Sequence, residues 1–176
     1  MNKDLRAAAV SWWQDDPRRL DSEVAAMHAV APGLIWHWEG PGFWEGVVPL
    51  WPFHRAQPPG WTSLVDHKPF NVQIVCSHAH PMIDPTVWPV AIKVPVAAIG
   101  STDWHLLPSG ALCLLRDRTS WQPSELASDL VKKTSSWYIE YHLMRAGYIR
   151  RMTDYGIAND TSLDGFLREI GKSSQC

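Results

Sequence analysis

The residues best placed to do chemistry lie between Pro108 and Pro123, in PSGALCLLRDRTSWQP. A thiol, Cys113, follows Gly110 by three residues and precedes Trp121 by eight and Pro123 by ten. A helical pattern starts directly beyond the proline. The arrangement puts the thiol at the end of an extended segment and holds the return loop by a bulky anchor. A cysteine on a loop carried by rigid elements can act as a nucleophile. With Leu112, Leu114 and Leu115 around it, the same residue also fits a buried, inert small apolar side chain.

Other polar residues are candidates beside it. His105 lies eight residues before Cys113 and either donates a hydrogen bond from its imidazole or caps its loop. Arg116 and Asp117 follow Cys113 closely, placed to tune an incoming amine or simply to solvate a loop. A second cluster, Cys76-Ser77-His78-Ala79-His80-Pro81 with Asp84, contains a His-x-His of the kind that ligates zinc. Its third and fourth ligands are not evident, so a polar loop is the simpler reading and no metal is expected. No GxGxxG or GxxxxGK[ST] loop is present, and no cofactor is expected. Arg18 and Arg19 read as a solvated helix face, and Cys176 as a thiol without a role.

These residues need a scaffold. Lys3–Gln14 is alanine-rich and fits a short helix. Asp16-Pro17 reads as a cap followed by proline at the first helical position. Leu20, Val24 and Met27 then keep helical spacing until Pro32-Gly33. Strand-like stretches follow at Leu34–Trp38, Phe43–Trp51 and Phe70–Val75, with a fourth at Val90–Ala98. Pro81, Pro85 and Pro89 are expected to break regular pairing. From Ser124 a long helix runs to Met144 or Tyr148, with Leu126, Leu130, Trp137, Tyr141 and Met144 on one face and Lys132 and Lys133 elsewhere. A short helix at Leu163–Ile170 would be capped by Thr161 or Ser162 and ended by Gly171. Helix, four-strand meander, cysteine loop and C-terminal helices make an α+β fold with helices against one face of an antiparallel sheet.

Bulk properties narrow the function. At 176 residues, one domain (1–176) is the natural prior. The net charge of −2, from 16 basic and 18 acidic residues without a like-charge block, gives no reason to expect nucleic acid as a partner. No run of 18 apolar residues exists, so no membrane span is expected. The N-terminus reads as mature protein rather than a signal peptide. Three widely spaced cysteines do not form a disulfide framework, and a reducing cytoplasm is the simplest home. Eleven tryptophans are mostly core, with a few available for a partner surface.

With Gly110, Leu112, Cys113, Leu114, Trp121 and Pro123 at these spacings, and with this order of elements, the chain resembles ubiquitin-conjugating (UBC) enzymes over roughly 17–147. Short helical extensions lie on either side of that core. The resemblance implies that Cys113 carries an acyl group as a thioester and that Gly110, Trp121 and Pro123 anchor its loop. It also implies that the early helix, with Arg18 and Arg19, is a partner surface. The His78–Pro85 segment corresponds to the family's proline-rich stretch before the fourth strand. The family's His-Pro-Asn motif is missing from Ser101–Leu107, which leaves His105 or a backbone N–H for the oxyanion. Bacterial relatives that depart in this way include stand-alone conjugating proteins of CBASS anti-phage operons. That likeness implies a donor C-terminus from a cGAS-like nucleotidyltransferase or a ubiquitin-like protein, with a separate activating enzyme. Two alternatives remain: a catalytically inactive UBC-fold binding protein, and a metal hydrolase using His78, His80, Asp84 and His105.

Overall fold

The computed structural model describes residues 10–66, 68–90, 92–116 and 120–173. Most of the expected first helix, 3–9, falls outside them; the described part contains a short helix, α1 (Trp12–Asp15). Helix α2 (Pro17–Val30) starts as its sequence dictates. Asp16 Oδ1 accepts the Arg19 N–H at 3.0 Å, and Pro17 occupies the first turn, where no amide donor is needed. The buried face carries Leu20, Glu23 and Met27, while Val24 is exposed. A glutamate therefore takes the inward position that periodicity alone would give to an apolar residue.

Four strands follow: β1 (Leu34–His37), β2 (Phe43–Val48), β3 (Phe70–Val75) and β4 (Thr86–Val90). They form one antiparallel meander in sequence order. In β3, Phe70, Val72 and Ile74 alternate inward and are fully buried. Two boundaries differ from expectation. β2 stops at Val48, because Pro49 cannot continue the ladder. The fourth strand is Thr86–Val90 rather than Val90–Ala98, and Pro89 lies within it, opposite Val72. Proline is tolerated there because β4 is the edge strand of the sheet, with β3 as its only strand neighbour in the meander. Within the expected strand, Val96–Ala98 is a single 3₁₀ turn.

The long helix, α3 (Leu130–Arg145), begins after a 3₁₀ turn at Ala127–Asp129, six residues later than Ser124. It is buried on almost every side, not along one stripe. Phe70 of β3 stacks on Tyr138 at 4.3 Å, while Ser135 Oγ donates to Pro49 O at 2.7 Å. On the other flank, Thr153 and Ile157 N–H groups reach Glu140. Buried Ser135, Ser136 and Glu140 find partners on segments at several sides, and buried Thr134 donates to its own helix at Leu130 O. The last helix, α4 (Asp164–Ser173), passes through Gly171 instead of ending at it. A Cβ at Gly171 would lie 1.8 Å from Pro59 O, so this glycine serves close approach rather than a helix stop.

One main core joins sheet, α3 and the C-terminal segment, and includes Met152, Ile157, Leu163, Leu167 and Ile170. Trp12, Leu20 and Cys76 form a smaller cluster beside it. Among the described residues, no helix is long and apolar enough to cross a membrane.

Candidate active site around Cys113

Cys113 ends a short hairpin. The Leu107 N–H bonds Ala111 O at 2.8 Å and the Gly110 N–H bonds Leu107 O at 2.8 Å, closing the turn. Gly110 has φ +91°, a conformation that side chains rarely adopt. Leu106 bridges Leu112, and the Leu112 N–H bonds Val87 O of β4 at 2.8 Å. The thiol is therefore carried directly off the sheet. The Cys113 N–H bonds His105 O at 2.8 Å, and its half-buried Sγ faces Leu115 O at 3.8 Å.

The return loop is fixed at Trp121 and Pro123. The buried Trp121 donates from Nε1 to Pro81 O at 2.8 Å. The Pro123 carbonyl accepts from Arg19 Nη1 at 2.9 Å, and Arg19 Nη2 donates to Glu125 O. Arg19, expected on a solvated face, instead ties α2 to this loop and forms an ion pair with buried Glu23 at 2.8 Å. Arg18 stays exposed.

Glu23 also organises the second cluster. Its Oε1 contacts His80 Nε2 at 2.9 Å and its Oε2 accepts the Ala127 N–H at 2.8 Å. His80 is buried, against expectation, with Trp12 edge-on at 4.5 Å; the His80–Pro81 peptide bond is cis. His78 is exposed and Asp84 half-buried. Among the described residues no three His, Cys, Asp or Glu side chains come together as a metal site. Cys76 is buried, and desolvation, reinforced by the nearby Glu23 carboxylate, pushes its thiol pKa far up. Cys76 thus stays a neutral thiol. Asp117 and Cys176 lie outside the described residues.

His105 and Cys113 line one open cavity of about 710 Å³. His105 has φ +45° and follows the 3₁₀ turn Thr102–Trp104. That turn is pinned twice: Trp137 Nε1 donates to Trp104 O at 2.9 Å and the Met152 N–H donates to Asp103 O at 2.9 Å. Burial lowers the His105 pKa below its ordinary value, so the ring is neutral at pH 7, with one donor and one acceptor nitrogen.

The opposite wall escaped the sequence reading. Lys133, Ser136, Trp137 and Glu140, at helical i, i+3, i+4, i+7 spacing on α3, face the cavity together with Met152, Asp154 and Tyr155. Glu140 Oε1 accepts from Thr153 Oγ1 at 2.9 Å and Ile157 N–H at 2.6 Å, while Oε2 accepts the Thr153 N–H at 2.6 Å. Ser136 Oγ accepts the Ala158 N–H at 2.6 Å. A glutamate between Trp137 and Tyr141 was the available signal, since a buried carboxylate requires several donors.

A thiol carried off a sheet edge beside a neutral imidazole and an open volume can attack an activated carbonyl and hold the acyl group. No protein-family model, no curated protein and no solved structure matches this chain.

Proposed function

We propose that the chain is a UBC-like transferase that accepts a protein's C-terminal acyl group on Cys113. The observation that carries this reading is the half-buried Cys113 opening onto a large cavity from a loop pinned at both ends. The donor arrives already activated, as a thioester or an acyl phosphate ester made by a separate enzyme. In the thioester case, Cys113 Sγ bonds the carbonyl carbon, the donor's C–S bond breaks, and the Cys113 proton ends on the departing thiolate. An acceptor amine then attacks the same carbon. The C–N bond forms, the C–Sγ bond breaks, and a proton from nitrogen returns to Cys113. Neutral His105 on the cavity wall supplies an N–H to the oxyanion in place of an asparagine. The donors that fit the resemblance are a cGAS-like nucleotidyltransferase or a ubiquitin-like protein, in bacterial anti-phage defence in the cytoplasm.

The test uses the purified chain and peptide ethyl thioesters as pre-activated donors. A covalent adduct that thiols reverse is expected with the native chain. None is expected with Cys113→Ala, and a thiol-resistant ester with Cys113→Ser. An adduct that persists in Cys113→Ala overturns the mechanism.

A further inference from the structure

The charged groups lining the Cys113 cavity are unevenly engaged. Besides Cys113 and Tyr155, its described ionisable lining consists of His105, Arg116, Lys133, Glu140 and Asp154. Buried Glu140 accepts three hydrogen bonds from 153 and 157, and Asp154, exposed at the rim, pairs with the equally exposed Arg151 at 3.5 Å. His105 is neutral at pH 7. Among the described residues, neither Arg116 nor the half-buried Lys133 has an ion-pair partner. Two cations without an ion-pair partner among the described residues, Lys133 half-buried and Arg116 exposed, therefore line a volume whose apolar wall includes Leu106, Leu114, Trp137 and Met152. A partly desolvated ammonium such as that of Lys133 gains most from a carboxylate that enters its site, and the exposed Arg116 guanidinium can add a second contact.

We propose that this cavity selects donors whose C-terminal tail carries a carboxylate side chain, received by Lys133 and Arg116 while the acyl carbon reaches Cys113. The inference rests on Cys113 being the acyl-accepting thiol. The tail, rather than the acceptor, fills the cavity because its residues are covalently next to the carbon that bonds Sγ. An extended chain advances about 3.3–3.6 Å per residue, so only the last few residues lie near the thiol. Clefts of about 300–1,000 Å³ enclose ligands of that size. The acceptor amine then approaches from the open mouth.

The experiment measures loading of the intact chain by short peptide ethyl thioesters with Glu, Gln or Lys at each of the last three positions. At subsaturating peptide, Glu at one of these positions should load about tenfold faster than Gln, the effect of one charge-assisted contact, and Lys slowest. The preference should collapse in Lys133→Met/Arg116→Met and tilt toward Lys in Lys133→Glu. Thermal unfolding of each variant reports its folding, and the native comparison needs no variant. Equal loading of all three peptides by the native chain would overturn the selection and leave acyl acceptance standing. A preference for Glu that survives in the folded double variant would overturn the assignment to Lys133 and Arg116. Loading by none of the peptides would sink both readings.

Discussion

At the cavity wall, His105 is separable from Cys113 by kinetics. A neutral imidazole that donates to an oxyanion acts where charge develops, not where the donor binds. His105→Ala should slow release of the acyl group to an amine by about 10²-fold, the scale of losing one oxyanion donor. Loading at saturating donor passes through the same kind of oxyanion and should slow on a similar scale, while the donor concentration for half-maximal loading stays unchanged. Single-turnover discharge of preloaded protein reads this directly, and an unchanged discharge rate would remove His105 from the chemistry. The two cysteines show what single residues disclose in sequence. Cys113 drew attention through its distances to Gly110, Trp121 and Pro123, and these are local. The inertness of Cys76 depends on Glu23, 53 residues away, and on burial by Trp12 and Leu20. His80 misled for the same reason: its partner lies on α2. Lys133 was read only as a position off the apolar face, because the wall facing it comes from 152–159.

Among the elements, the sheet was the most legible part, since alternation in 70–75 is a local signature. The edge status of β4 was not, and that status is what admits Pro89. Helix α3 was legible in extent but not in environment. Its buried Ser135 and Ser136 bond Pro49 and Ala158, and Tyr138 bonds Lys68 O, contacts that no periodicity encodes. The loop after Cys113 offers a test at this scale. Trp121→Phe keeps most of the buried ring but deletes the donor to Pro81 O. The cost should be about 1 kcal/mol, one hydrogen bond with its acceptor left unpaired. Trp121→Ala should cost about 3–5 kcal/mol through the cavity it leaves. Urea unfolding checks both. A Phe variant as damaging as the Ala variant would mean that the indole N–H, not the ring volume, holds the loop.

Across the whole molecule, α3 is the common wall of core and cavity, so its buried titratable groups make stability depend on pH. His142 packs edge-on against Tyr138 and Tyr141, and burial, with Lys68 and Arg145 nearby, depresses its pKa from 6.5 to about 4. The unfolded chain binds this proton first. The stabilisation from a neutral His142 is therefore complete above 6.5 and is lost as pH falls toward 4. His105, also depressed, acts in the same direction. Glu140 opposes them. Burial raises its pKa above 4.5, so the folded state takes up that proton first and gains stability as pH falls through the folded value. The large depression of the His142 pKa, to about 4, leaves a net loss on acidification. The urea midpoint should fall between pH 7 and 4. His142→Phe, which preserves an aromatic ring against both tyrosines, should flatten that fall. Glu140→Gln should steepen it by removing the opposing proton, and should also lower the midpoint at pH 7, because its amide cannot accept at both positions that Thr153 and Ile157 address. Acid sensitivity unchanged in His142→Phe would show that the histidine is protonated in the folded state as readily as in the unfolded one, and that its burial against the tyrosines imposes no electrostatic penalty.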